Sequence, residues 1–149
     1  MAAVAEFKRP ESVLVVVHTL GLDCLLLERI EPRGFWQSVT GTLRSVETPA
    51  ECAARELREE TGLAPDGLRD AHVQRSFPIL PAWRSRYSPE VSSNTEHLWY
   101  LEVPEVRAVR IEPAEHSAYL WLPVDAAIEK VASWTNREAL QRLKDSRRA

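Results

Sequence analysis

The sequence predicts an α/β layered domain. β-branched and apolar runs recur along the chain, two substantial segments carry helical periodicity, and turn residues separate them. With 149 residues and 44% hydrophobic content, the chain can bury one sizeable core, so residues 1–149 are read as a single domain.

Ser12 to His18 (SVLVVVH) is apolar almost throughout, as a strand covered on both faces would be. Cys24 to Ile30 (CLLLERI) is a second strand, and Gly21-Leu22-Asp23 between them is turn chemistry for a hairpin. Phe35 to Thr40 leads into a loop and then a helix. Thr48 with Glu51 three residues later forms a capping box, and Pro49 occupies the first helical position, where its missing N–H costs nothing. Gly62 suits the positive φ found just past a helix end, which places this helix from Pro49 to Thr61. Ala50, Ala53, Ala54 and Leu57 form the stripe expected to be buried.

Beyond the helix, Ala64 to Asp70 is a loop and Ala71 to Phe77 a strand. Pro78 to Ser93 is punctuated by prolines and lacks periodicity, the kind of long irregular loop that is often functional. His97 to Val103 and Ser117 to Leu122 are further strands. Pro123 to Trp134 carries a helical pattern, and Asn136 to Lys144 is a C-terminal helix capped by Thr135 or Asn136.

A net charge of -3 and a pI near 5.8 speak against a general nucleic-acid binder. A polyanionic ligand must then meet local charge, for which Lys8, Arg9, Arg29, Arg33, Arg84 and Arg86 are candidates. No run approaches the ~18 apolar residues of a membrane span, so no membrane partner is expected. Cys24 and Cys52 have neither metal-ligand nor disulfide spacing, which suits a reduced, cytoplasmic setting. Nothing in the sequence sets an oligomeric state.

The segment from Gly41 to Leu63, GTLRSVETPAECAARELREETGL, is the most informative. At about 100° per residue, Glu56, Glu59 and Glu60 fall within roughly one quadrant of the helix. Glu56 and Glu60 stack one turn apart, a like-charge pair that costs a few tenths of a kcal/mol and calls for a cation. Such carboxylates suit a hard divalent ion, and Mg²⁺ in particular combines one or two of them with water and substrate phosphates. The segment therefore reads as a metal-dependent site for a small phosphorylated molecule.

Gly41, Glu47, Arg55, Glu56, Leu57, Glu59, Glu60, Gly62 and Leu63 stand at the spacing of the Nudix box, and the chain resembles the Nudix hydrolases at every position of that motif. A chance match is on the order of one in a billion windows. The resemblance implies a Nudix fold of the α/β (α+β) class, a mixed β-sheet sandwiched between α-helices. It also implies hydrolysis of a diphosphate linkage with Mg²⁺, for which Mn²⁺ is a possible substitute.

Stretches outside the motif, among them Lys8-Arg9-Pro10, Phe35 to Gly41, Asn94-Thr95-Glu96, Glu115-His116 and Ser133-Trp134, resemble a bacterial branch of the family that acts on 7,8-dihydroneopterin triphosphate. That resemblance implies release of pyrophosphate to leave the monophosphate, a step of folate synthesis. It makes Glu56, Glu60 and Glu115 metal ligands, with Glu59 beside them as a further one, and Glu56, Glu59, Glu60 and Arg55 the catalytic residues. It makes Lys8, Arg29, Thr40 and Ser133 substrate contacts, together with Phe77, Pro78, Ile79 and Leu80. Arg55 belongs to the catalytic motif but is expected to point away from the centre of the glutamate stripe and pair with Glu47. Trp36, Trp83 and Trp134 would either stack on a pterin or fill the core, and Cys52 is read as packing.

Arg44-Ser45-Val46 departs from the acidic residues and glycine usual before Glu47 in relatives. The alternatives are a Nudix enzyme for nucleoside triphosphates, oxidised nucleotides or dinucleotide polyphosphates, and a binding module without catalysis. The complete set of motif glutamates favours catalysis.

Overall fold

A computed structural model describes residues 7–147. In chain order its elements are β1 (Glu11–Thr19), β2 (Asp23–Arg29), β3 (Trp36–Gln37), β4 (Val39–Thr42), α1 (Pro49–Thr61), β5 (Arg69–Pro78), β6 (Ser93–Val103), β7 (His116–Pro123), α2 (Val124–Lys130) and α3 (Trp134–Ser146). The strands form one seven-stranded sheet. β1 lies at its centre and runs parallel to β6, from Glu11 opposite Thr95 to Thr19 opposite Val103. The other edge of β1 is shared: β4 pairs antiparallel with Ser12 to Val15, and β2 joins at His18 opposite Cys24. β2 in turn carries β3 and β7, while β5 lies outside β6. The sheet is mixed because β1 and β6 alone among these pairs are parallel.

The two faces of β1 explain its near-continuous apolar run. Val13, Val15 and Val17 pack with Cys52, Ala53 and Leu57 of α1. Leu14 and Val16 pack with Val124 and Ala127 of α2 and Ala139, Leu140 and Leu143 of α3. Each fully buried Leu or Val contributes about 1.5–3 kcal/mol, so the alternation fixes register as well as stability. The sheet is thus sandwiched between α1 and the α2–α3 pair.

Helix α1 has the bounds its caps predict. Thr48 Oγ1 accepts from the Glu51 amide at 3.2 Å, Glu51 accepts from the Thr48 amide at 3.0 Å, and Gly62 adopts φ 75°. Its orientation differs from the alanine-stripe reading. Ala50 is exposed, and the inward residues are Cys52, Ala53, Glu56, Leu57, Glu60 and Thr61. The helix is turned so that two glutamates of the motif face the sheet.

Other boundaries moved for local reasons. β6 begins at Ser93 rather than His97, because Asn94 and Glu96 are buried polar residues that hide the strand alternation. The helical pattern from Pro123 stops at Lys130, where Val131 turns extended. α3 is capped by Ser133, not by Thr135 or Asn136: Ser133 Oγ accepts from the Asn136 amide at 3.2 Å, and the two expected caps are buried in the first turn. The loop from Pro78 to Ser93 contains a 3₁₀ turn, Pro81–Arg86, and is braced by Arg84, which donates to the carbonyls of Ser88 and Pro89. Between β3 and β4, Ser38 is fastened to α3 by Asn136, which accepts from its amide at 2.8 Å and donates to its hydroxyl at 2.9 Å.

Candidate active site

Close packing of β4 against α1 begins at Gly41. A Cβ there would overlap the Glu56 carboxylate, so glycine makes the space in which that side chain folds down between helix and sheet. Arg55 is the anchor beside it. Its guanidinium donates to both oxygens of Glu47 at 2.7 and 2.8 Å, to Glu56 at 2.7 Å, to Glu59 at 3.2 Å and to the Thr42 carbonyl at 3.1 Å. Arg55 makes the expected pair with Glu47 yet does not point away from the glutamates; it joins three of them. This charge holds the Glu47 carboxyl down to about 2, chiefly through the Arg55 hydrogen bonds.

The glutamates fall into unlike surroundings. Glu56 is buried, which pushes its carboxyl up to about 7 against the attraction of Arg55, with Glu60 and Glu59 adding to the rise. Glu60 is more deeply buried, 1% exposed, and is met by Glu115 in the turn before β7 and by His116 at the start of that strand. One ligand atom from each of Glu60, Glu115 and His116 lies within 4.8 Å of the others. His116 Nδ1 comes to 2.5 Å from Glu60 Oε2 without hydrogen-bond alignment, so both remain buried polar atoms lacking a partner. Burial pushes the Glu60 carboxyl up, but His116, Glu115 and Arg29 together hold it below the ordinary value. The Glu115 carboxyl is raised, first by its hydrogen bond with Glu60 and then by burial. Glu59 is the exception among the expected ligands. It is exposed on the outer face of α1 and paired with Arg44 and Arg55.

A cleft of about 830 Å³ opens over this cluster. At one end it is lined by Arg55, Glu56 and Glu115 together with Lys8, Arg29 and Arg86. Lys8 keeps much of its outer surface exposed, yet partial desolvation and then the like charges of Arg86 and Arg29 draw its ammonium below the ordinary value. Arg29 is lowered by desolvation first and Arg86 second, and its guanidinium lies 5.3 Å from the centre of the Trp83 ring. Cations crowded against one another beside carboxylates suit a ligand that brings negative charge and a metal together.

Phe77, Pro78, Ile79 and Leu80, at the end of β5, also line the cleft, as do Thr40, Ser133 and Trp134. Two of these polar groups are already engaged. The Thr40 hydroxyl donates to the Val13 carbonyl at 2.8 Å, and Ser133 Oγ accepts from the α3 amide that it caps. Trp134 is half exposed at the rim, whereas Trp36 lies under Lys130, outside the lining. Cys52 is buried against the Gly41 carbonyl as a packing residue.

Sequence reasoning missed His116 as a partner of Glu60. The adjacency of Glu115 and His116 at the start of an apolar strand was the available signal, since one of them must point inward. It also assigned no role to Glu96, which lay between the loop read to Ser93 and the strand read from His97.

Glu60 Oε2, buried against His116 Nδ1 with no aligned hydrogen bond, and the carboxylates around it fit a divalent metal ion. The NUDIX domain family model matches residues 8–143. Dihydroneopterin triphosphate diphosphatase of Escherichia coli is 38% identical over 142 residues, 92% of this chain and 93% of that enzyme. The enzyme of the same name from Haemophilus influenzae is 36% identical, covering 92% of this chain and 89% of its own length. The solved structure of the E. coli dihydroneopterin triphosphate pyrophosphohydrolase superposes with a TM-score of 0.86 at 37% identity, covering 91% of this chain and 95% of that one.

Proposed function

Because the chain belongs to the NUDIX domain family, we propose that its cleft hydrolyses 7,8-dihydroneopterin triphosphate to the monophosphate and pyrophosphate with Mg²⁺, Mn²⁺ being able to substitute. The observation that carries this reading is the meeting of Glu56 and Glu115, with Glu60 buried beside Glu115, and of Lys8, Arg29 and Arg86 in a cleft large enough for a bicyclic ring and its phosphate chain. The similarity to the E. coli and H. influenzae enzymes supports the choice of substrate.

Glu56, Glu60 and Glu115 would hold the metal, with His116 orienting Glu60 from behind. When bound, the ion supplies neutralisation of the triphosphate and lowers the pKa of attacking water. Lys8 and Arg29 bind phosphate oxygens, Lys8 as a point charge and Arg29 as a fork steadied by Trp83. Arg55 ties Glu47 and Glu56 together, so that the loop after β4 and helix α1 move as one body. Water adds to phosphorus as the anhydride P–O bond breaks, and its proton leaves through a carboxylate of the cluster. Glu59 serves from outside, through Arg55. The two free, buried cysteines support a cytoplasmic place of action.

Initial rates on dihydroneopterin triphosphate and a panel of nucleoside triphosphates, measured with Mg²⁺, test this reading. The pterin substrate is expected to give the highest kcat/KM. A preference of tenfold or more for a nucleotide would overturn it.

A further inference from the structure

The far end of the cleft holds a second carboxylate that the metal chemistry leaves unused. Glu96 of β6 is 8% exposed, lines the cleft, and projects from the same sheet face as its strand partners Ser12 and Arg75. Arg75 would be the obvious counter-ion, but its Nε and Nη2 both donate to Glu138 of α3. The hydrogen-bonding partner of Glu96 is the Thr135 hydroxyl, and burial raises the Glu96 carboxyl to about 7 against the pull of that hydroxyl and of the Arg75 charge. Two residues away, Asn94 is 5% exposed; its Nδ2 donates to Ser12 Oγ at 2.8 Å and its Oδ1 has no partner. The surrounding lining is apolar, with Leu14, Phe77, Ile79 and Trp134.

A buried carboxylate with a single hydroxyl partner costs free energy unless something completes its hydrogen bonding. The lining says what that is: apolar side chains beside acceptor oxygens of Glu96 and Asn94. We propose that Glu96, with Asn94 beside it, is the specificity-determining contact for the ring of the substrate and accepts two adjacent N–H donors from a 2-amino-4-oxopyrimidine edge. This inference rests on the proposed hydrolase reading of the same cleft.

A carboxylate presents two oxygens side by side, and the ring N–H and exocyclic amine of pterin or guanine present two donors at matching separation. Adenine and cytosine offer one donor beside one acceptor, which leaves a carboxylate oxygen facing a lone pair. A site built to accept hydrogen bonds discriminates strongly against an analogue that cannot supply them. Glu96 thereby selects a ring, while the phosphate end accepts any triphosphate.

The test compares kcat/KM for wild type and E96Q, with Mg²⁺, on dihydroneopterin triphosphate, dGTP, dITP and dATP. In E96Q the first two substrates should fall by roughly ten- to a hundredfold, the range for losing a hydrogen bond to a charged group, while dITP falls less and dATP stays level. The wild type alone supplies a check that needs no folded variant. dITP lacks the 2-amino group, so dGTP should be favoured over it by about tenfold or more. Equal wild-type rates on dGTP and dITP, or an equal loss on all four substrates in E96Q, would overturn the assignment. If the wild type fails on dihydroneopterin triphosphate but prefers dGTP to dITP, the proposed physiological substrate fails and the reading of the ring edge stands.

Discussion

The two ends of the cleft solve the problem of a buried carboxylate in opposite ways. At the α1 end, Glu47 and Glu56 are held by Arg55, and Glu60 lies against His116 and Glu115. At the α3 end, Glu96 has a hydroxyl for company while the nearest arginine is committed to Glu138. The first arrangement keeps several negative charges together in readiness for a cation. The second keeps one acceptor group underused, which suits a neutral ligand bearing N–H donors. On the proposed reading, chemistry and selectivity occupy separate regions of one cavity, and each can be disturbed without the other.

The largest effect is expected from E60Q. It should lower kcat with Mg²⁺ by about a thousandfold on every triphosphate alike, because several kcal/mol of transition-state stabilisation depends on the metal site. Circular dichroism should show an unchanged fold. Near-normal turnover would remove Glu60 from the metal site and break the comparison at its first end.

The pH dependence of stability sharpens it at the second end. The folded Glu96 carboxyl, raised from 4.5 to about 7, favours the protonated form. Stability from this group is therefore complete below pH 4.5 and lost as pH rises to about 7, a change on the order of 3 kcal/mol. E96Q should flatten that slope in urea unfolding monitored between pH 4.5 and 8. Glu56 has the same sign when no divalent ion is bound, so the comparison is made at saturating Mg²⁺. Glu47 runs the other way: its carboxyl is held down to about 2, and its stabilisation is lost as pH falls from 4.5 toward 2.

G41A comes next. The added methyl must displace the Glu56 carboxylate, and a misplacement of that size costs about a hundredfold in kcat/KM. The backbone of β4 should persist, so the thermal midpoint should change less than activity does. S133A is the mildest. Loss of the α3 cap should cost about 1 kcal/mol in chemical denaturation. A rise in KM with an otherwise unchanged fold would support Ser133 as a substrate contact.

These unequal ends were also unequally legible in the sequence. The α1 end is encoded locally: Thr48, Glu51 and Gly62 define the helix bounds, and Gly41 through Leu63 hold most of the proposed ligands in one continuous segment. Even there the facing of the helix was not legible. Its alanines are more apolar than its glutamates, and only the absence of a side chain at Gly41 permits Glu56 to turn inward. His116 escaped because its role depends on Glu60, more than fifty residues earlier. The α3 end is assembled from Ser12, Asn94, Glu96 and Thr135, which lie far apart in the chain. Polar residues there face a cavity rather than solvent, so the first residues of β6 show no apolar alternation and the strand was legible only from His97.

Product analysis in ¹⁸O-labelled water, with purified protein, Mg²⁺ and dihydroneopterin triphosphate, tests the central claim most directly. The expected products are pyrophosphate and dihydroneopterin monophosphate, with the label in one of the two, identifying the phosphorus attacked. Release of orthophosphate, or pyrophosphate formation undiminished by removal of divalent ions, would contradict the account.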